Sequence, residues 1–426
     1  MLTTRPRGMN DILPLEISRW HRAEAIIREI TRVYGYEEIR TPLLEHTELF
    51  TRGIGEDTDI VDKEMYTFTD QSGRSLTLRP EGTAPVVRAF IQNHMHAQPL
   101  PAKLYYLAPM YRYGRPQAGR LREFHQFGVE VLGSEDPAVD AEVIVLAMDF
   151  FTRLGLRKLD LHINSIGCPK CRSGYRDQLL AYLTPLKDEL CATCARRLER
   201  NPLRILDCKD AGCRDIVATG PRFSDYLCPE CSLHFQAVRD LLSLAKVEYQ
   251  WDPYLVRGLD YYTRTTFEIM VEGIGAQSSI GGGGRYDGLV EACGGPSISG
   301  IGFGLGLERA FLALADQGVE EEPSAAKGIF IAIAETGNAY GDIRSLAFQL
   351  TTRLRDAGLP TEMNLIARSL KAQMRYADRI GARFVVLLGR SELERGRVAV
   401  RFMENSSQQE VDLDQLVSFL QSSFNA

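Results

Sequence analysis

Eight of the nine cysteines in this 426-residue chain fall in four close pairs. Cys168, Cys171, Cys191 and Cys194 read C-x2-C-x19-C-x2-C, and Cys208, Cys213, Cys228 and Cys231 read C-x4-C-x14-C-x2-C. Two thiolates at short spacing supply two corners of a tetrahedron and a second pair closes it, so the chemistry offered is tetrathiolate zinc binding. A site closed in this way is structural, with no open position for a substrate. The alternative is eight free thiols packed as small apolar side chains. Four close pairs within 64 residues favour metal. Spacing leaves open which pair meets which, and Cys293 stands apart as a packed thiol.

A second group of residues suits phosphate and carboxylate chemistry. KLYYLAPMYRYGRPQAGRLREFHQFGVEVLG, residues 103–133, reads as two antiparallel strands joined by a loop rich in Arg, Gly and Pro. Arg112, Arg115, Arg120 and Arg122 lie in or beside that loop, and guanidinium forks grip phosphate oxygens two at a time. Gln126 and Glu130 share one strand face with Phe124 and Gly128, where a buried carboxylate is costly unless it meets a polar partner. Glu81 and Thr83 follow a strand at a Pro turn, and Thr83 also fits a helix N-cap. In VRGLDYYTRTTFEI, residues 256–269, strand alternation begins at Thr263, and Arg257 and Tyr262 have opposite parity. We expect Gly258 to turn the chain so that both converge, with Asp260 and Tyr261 bracing the turn and Tyr261 near the pocket.

Gly300, Gly302, Gly304 and Gly306 alternate with Ile301, Phe303, Leu305 and Leu307. One strand face is therefore stripped of side chains, either for a flat ligand such as a purine ring or for tight helix packing. That period argues against a dinucleotide-binding turn, which GIGFGLG matches only loosely. Glu308 and Arg309 follow where a helix should begin.

These residues need elements to hold them. A content of 44% hydrophobic and 25% charged residues suits two or three domains with substantial cores. No apolar run approaches the ~20 residues of a membrane span, and the first residues lack a signal-peptide core, so a cytoplasmic protein with no membrane partner is expected. The net charge of −6 excludes a generally basic surface. Helices are expected over Ser18–Tyr34, Thr83–Asn93 and Ala138–Leu154, with strands at SLTLR, KLYYLAPMYR and EFHQFGVEVLG. From Ile166 to about Val247 the pattern turns helical and cysteine-rich, as an insertion would, and strand character resumes at VEYQWDPYLVRGL. Residues 316–327 read as a linker. Beyond it GIFIAIAE, PTEMNLIA, ARFVVLLGR and RVAVRFM alternate with helices, a small α/β domain. Arg368, Lys371, Arg375 and Arg379 recur there at helical spacing, a cationic stripe that is either solvated or faces a phosphate-bearing partner.

Taken together the motifs resemble histidyl-tRNA synthetases of the bacterial type, a family of class II aminoacyl-tRNA synthetases. The resemblance rests on PRGMNDILP, IRTPLLEHTELF around Pro42, TLRPEGT, MYRYGRPQAGRLREFHQFGVEVLG, RGLDYY and GIGFGLGLERAF. It implies an α+β catalytic domain built on an antiparallel sheet (residues 1–166 and 247–318), a helical cysteine-rich insertion (167–246), the linker, and an α/β anticodon-binding domain (328–426). The implied reaction is ATP-dependent attachment of L-histidine to its tRNA through a histidyl-adenylate, with Mg2+ and, by the first motif, a homodimer. By the same resemblance Arg112 and Arg309 grip the α- and γ-phosphates of ATP, and Arg120, Phe124 and Gly304 belong to its site. Glu81, Thr83 and Gln126 hold the α-amino group of histidine, Glu130 and Tyr262 its imidazole, and Gly82, Tyr261 and Tyr286 line the pocket. Arg257 binds the carboxylate and α-phosphate. Arg115 and Gln117 meet the acceptor end of the tRNA, and Arg368, Lys371 and Arg375 lie on the anticodon side. The cysteine pairs are not part of the family pattern, so structural Zn2+ rests on their spacing alone. Two rival readings are the related regulatory subunit of ATP phosphoribosyltransferase, which typically lacks the C-terminal domain, and a zinc-organised nucleic-acid-binding module.

Overall fold

The computed structural model describes residues 3–55, 58, 60–272, 279–319, 328–334, 339–366 and 368–425. The chain divides into two compact units, Met1–Glu320 and Glu321–Ala426.

The first unit is organised by eight strands: Glu37–Glu38 (β1), Ala102–Tyr111 (β2), Glu123–Leu132 (β3), Leu159–Ser165 (β4), Gln250–Trp251 (β5), Thr263–Val271 (β6), Ser279–Arg285 (β7) and Gly300–Gly306 (β8). Their spatial order is β1-β2-β3-β8-β7-β6-β4-β5. The six central strands are antiparallel, as expected, and only the two-residue edge strands pair parallel. Strand alternation sends Tyr105, Val129, Phe303, Phe267 and Ile163 to one face in a single cross-strand row, and Phe127, Leu305, Ile269 and Leu161 to the same face in the next. Against this face pack Ala23, Ile27 and Ile30 of the helix Ile17–Tyr34, and Val143, Ala147, Phe150 and Phe151 of the helix Pro137–Leu154. Each fully buried Phe contributes about 2–3 kcal/mol, so this face anchors the sheet and leaves the other for chemistry.

The insertion supplies helices Pro169–Leu183, Ala192–Arg200, Ala211–Ala218 and Pro229–Leu244. Phe235, Val238 and Leu242 of the last of these join the main core. A three-stranded sheet, in the order Leu44–His46, Ser75–Leu78, Tyr66–Thr69, lies outside the large one.

The second unit has strands Ile329–Ile333 (β9), Thr361–Met363 (β10), Phe384–Leu388 (β11), Arg397–Phe402 (β12) and Gln408–Asp412 (β13), in the order β10-β9-β11-β12-β13. Helices Ala339–Asp356, Leu370–Arg379 and Leu416–Asn425 accompany them.

Several elements differ from expectation. VEYQWDPYLVRGL yields only β5, because Pro253 removes a ladder donor and the chain leaves the sheet there. PTEMNLIA shortens to β10. The central strand β4 and the edge strand β13 had no run of apolar residues to announce them. Of the expected linker, Asp316 closes the helix Leu307–Asp316, and residues 320–327 lie outside the described residues. Among the described residues no helix is long and apolar enough to cross a membrane.

Candidate active site

On the face away from the core, register aligns three rows. Leu104, Glu130, Gly302, Gly284 and Thr266 form the first, Tyr106, Gly128, Gly304, Gly282 and Glu268 the second, and Ala108, Gln126 and Gly306 the third. Directly opposed residues share a side, so each glycine leaves room for a polar neighbour. A Cβ on Gly302 would lie 2.0 Å from Glu130 Oε2, one on Gly128 would lie 2.1 Å from the Tyr106 ring, and one on Gly300 would lie 2.2 Å from the Tyr286 ring. Tyr106 thus fills the space over Gly128 on β3, while the glycine strand is filled by Glu130 and Tyr286 at one end. Only towards Gly304 and Gly306 does it line an open cavity, which is where the expectation of a bare face holds.

Glu130 is fully buried. Thr83 Oγ1 donates to its Oε1 at 2.8 Å, Tyr106 to the same oxygen at 3.3 Å, and Tyr286 to Oε2 at 2.6 Å. Burial pushes its carboxyl up to about 8, the three hydroxyls oppose that shift, and nearby Glu81 adds to it. Glu81 accepts from the backbone N–H groups of Thr83 and Ala84, both at 2.8 Å, and burial also raises its carboxyl above the usual range. The helix Thr83–Gln92 therefore has Gly82 at its N-cap position and the Glu81 carboxylate as its capping group, which corrects the N-cap reading of Thr83. A Cβ on Gly82 would fall 2.2 Å from Tyr106. Tyr106 was missed from sequence, although its pairing with Gly128 is the signal that could have revealed it.

The segment 256–262 lies against this nest. The Tyr261 hydroxyl reaches Glu81 at 3.5 Å, and its ring sits 4.7 Å from that of Tyr262 and 5.8 Å from that of Tyr286. Asp260 does brace the turn, with Asn201 Nδ2 donating to its Oδ1 at 2.8 Å and its own N–H donating to Ile54 O. Gly258 is not in the left-handed region. It keeps clear of Arg204 Nη1, which lies 3.2 Å from a Cβ built there. The chain does bend at Gly258 and Leu259 and turn at Asp260 and Tyr261 before β6 begins, and a separate irregularity follows at Arg264, with φ of 47°, where the register against Arg285 shifts.

Next to this nest opens a cavity of about 960 Å3, within the range of a nucleotide-sized ligand. Arg112, Arg120, Phe124, Gln126, Arg257 and Arg309 all line it. Arg112 Nε donates to Pro80 O at 2.8 Å and its guanidinium lies 5.5 Å from the Phe124 ring centre. Arg309 donates to Gly119 O and Ser279 O. Arg120 pairs with Glu64. Arg257 Nη1 is 3.2 Å from Glu268, while its buried Nε has no hydrogen-bond partner among the described residues. Gly282 makes room for it, since a Cβ there would sit 2.8 Å from Nη1. Glu308 also lines the cavity and accepts from the His125 N–H. Arg115 and Gln117 are exposed on the loop.

In the second unit Lys371, Arg375 and Arg379 are exposed on one helix. Arg368 precedes that helix and stacks on Tyr376 at 4.9 Å, so the cationic stripe is three residues long on the helix itself.

The cysteines form two groups, Cys168, Cys171, Cys228 and Cys231, and Cys191, Cys194, Cys208 and Cys213. The pairing is nested and does not follow the order of the two spacing motifs.

Arginines lining a nucleotide-sized cavity, over a six-stranded antiparallel core with a glycine strand leading into an arginine-bearing helix, fit the catalytic domain of a class II aminoacyl-tRNA synthetase. A family profile described as histidyl-tRNA synthetase matches residues 8–170 and 227–310, and one described as anticodon binding domain matches 330–423. The histidine–tRNA ligase of Moorella thermoacetica is 59% identical over 98% of both chains, and that of Desulforamulus reducens 56% over 99% of both. A crystal structure of apo histidyl-tRNA synthetase from S. aureus superposes with a TM-score of 0.83 at 39% identity, covering 98% of this chain and all of that one. The chain belongs to the histidyl-tRNA synthetase family.

Proposed function

We propose that the chain attaches L-histidine to its tRNA in two steps, forming histidyl-adenylate and pyrophosphate and then passing the acyl group to the terminal adenosine. Family membership over nearly the full length supports the activity, and the buried Glu130 with its three hydroxyl donors is the observation that carries the choice of amino acid. The imidazole is the side chain whose N–H groups complement this carboxylate, with Tyr262 as second partner and Tyr261, Tyr286 and Gly82 shaping the pocket. Glu81, Thr83 and Gln126 receive the α-amino group.

Arg257 and Arg112 stand on the cavity wall where carboxylate and α-phosphate must meet, so their fixed charges offset repulsion and the charge that develops on the phosphate oxygens. The unpaired Nε of Arg257 is a donor already desolvated and in place. Arg309 takes the γ-phosphate, and Arg120, Phe124 and Gly304 complete the ATP site. Mg2+ carried by the ATP phosphates would supply charge neutralisation, and Glu64, Glu268 and Glu308, now held by Arg120, Arg257 and His125, are carboxylates in the cavity wall that could reach it. Arg115 and Gln117 meet the acceptor end of the tRNA, and Arg368, Lys371 and Arg375 the anticodon side.

The same reading gives a catalytic domain of residues 1–166 and 247–318, an insertion over 167–246, a linker over 316–327 and an anticodon-binding domain over 328–426. It places the protein in the cytoplasm as a homodimer. Exposed Leu43, Leu44 and Phe68 on or beside the three-stranded sheet supply apolar surface for that contact. Histidine-dependent ATP–pyrophosphate exchange followed by charging of histidine tRNA tests the activity. Exchange that is absent, or equal without histidine, refutes it and returns the regulatory-subunit reading.

A further inference from the structure

We propose that the insertion binds two Zn2+ ions in nested four-cysteine sites, and that these sites hold the histidine-binding loop in place. The outer site is Cys168, Cys171, Cys228 and Cys231, and the inner site is Cys191, Cys194, Cys208 and Cys213. In each group the four sulfurs all lie within 4.8 Å of one another. A tetrahedron with Zn–S bonds near 2.3 Å has edges of about 3.8 Å. Cys168 and Cys171 sulfurs are 3.6 Å apart, and Cys191 and Cys208 sulfurs 3.9 Å apart.

The surroundings fit thiolate ligands. The Cys228 N–H points at Cys171 Sγ at 3.1 Å, the Cys191 N–H at Cys213 Sγ at 3.2 Å, and the Cys194 N–H at Cys191 Sγ at 3.4 Å. Backbone donors of this kind offset the negative charge of a tetrathiolate. Both outer pairs lie in the same local frame, with Cys168 and Cys228 as N-cap residues followed by a Pro that opens a helix. Packing of free thiols requires neither the repetition nor the two separate sets of four.

Each site borders a contact to the segment 257–262. Arg172, next to Cys171, donates from Nη1 to Tyr262 O at 3.0 Å and Asp260 O at 3.2 Å. Ile166 and Gly167, just before Cys168, exchange backbone hydrogen bonds with Arg264 at 2.8 Å. Between the two halves of the inner site lie Asn201, which holds Asp260, and Arg204, which lies against Gly258. Zinc therefore acts on the reaction through Arg172 and Asn201, which are positioning residues. This second half of the inference rests on the reading of Arg257–Tyr262 as the histidine-binding loop.

The full chain, purified under reducing conditions without chelator, is analysed for metal by mass spectrometry and for Zn–S distances by X-ray absorption. Two zinc ions per chain with four sulfur neighbours each are expected. Cys168→Ser with Cys171→Ser, and Cys191→Ser with Cys194→Ser, should each lower the content to one. Arg172→Ala, which spares both sites, should keep two zinc ions and raise KM for histidine about tenfold with little change in KM for ATP. Cysteines found as disulfides, or zinc well below one per chain with all eight thiols equally reactive before and after chelation, overturn the metal sites. An unchanged KM for histidine in Arg172→Ala overturns the positioning role. A zinc-free chain with full exchange activity sinks this inference alone, and a zinc-loaded chain with no exchange sinks the synthetase reading and the positioning role that rests on it while the metal sites stand.

Discussion

Replacing Glu130 by Gln keeps the shape of the side chain and removes its charge, and two separate consequences follow from its surroundings. Its carboxyl is pushed up to about 8 by burial, against 4.5 when exposed. Because the folded value lies above the unfolded one, the folded protein keeps a proton that the unfolded chain releases. The stability linked to this group is fully present below about pH 4.5 and is lost as pH rises through 8. Each unit is worth about 1.36 kcal/mol, so between pH 5.5 and 7.5 the ligand-free catalytic unit should lose about 2.5 kcal/mol that the Gln variant does not lose. Trp20 and Trp251 are the two tryptophans of the chain and both lie in the first unit, so denaturant unfolding read by tryptophan fluorescence reports this unit alone. Histidine affinity moves in the opposite sense. A hydrogen bond to a charged group is worth about 1.5–3 kcal/mol, and ionising Glu130 at pH 7.5 costs about a factor of 4, so the variant should bind histidine about 3- to 40-fold more weakly, with ATP binding nearly unchanged. Parallel stability curves for wild type and variant across this pH range, together with equal histidine affinity, would refute the assignment of Glu130 as the imidazole partner.

Arg257→Ala should slow adenylate formation about 100- to 1000-fold in pre-steady-state pyrophosphate exchange, and an unchanged rate removes Arg257 from the chemical step. Gly302→Ala drives a methyl group to 2.0 Å from Glu130 Oε2 and 2.3 Å from Val129 O, so histidine binding should be lost in calorimetry while the second unit still melts as in wild type. Asp140→Ala leaves the fully buried Arg285 with only the more exposed Asp287, 3.3 Å from its Nη1, as a carboxylate partner and should destabilise the first unit by about 3 kcal/mol in denaturant unfolding.

The sequence displayed the strands and helices whose apolar period is long, such as β2, β3 and the helix Pro137–Leu154. It concealed β4, whose polar His162 and Asn164 alternate with only two buried apolar residues, and β13, whose exposed residues serve an edge. For the candidate site, Gln126 and Glu130 were legible because a charge or amide on a strand face must be met by something, and Arg112 and Arg257 because each is an arginine in a glycine-bearing loop beside a strand. Glu268, Tyr106 and Asn201 were not, because each acquires its place from a neighbour distant in sequence: Arg257 is 11 residues from Glu268, but Tyr106 is 24 from Glu130 and Asn201 59 from Asp260. The bend at Gly258 was legible, whereas the irregularity at Arg264 inside the strand was not. Nesting of the cysteines was likewise beyond spacing, which records distance along the chain and not which helices return to meet.

That nesting has a consequence for how the gene can change. Cys168 and Cys171 at the beginning of the insertion meet Cys228 and Cys231 near its end, so the chain leaves the sheet and returns to it through a single knot of sulfur. The family profile is itself silent over residues 171–226, the stretch tied off by that knot. Length there can change without moving a strand only between fixed points, which are the inner four cysteines, Arg172 and Asn201.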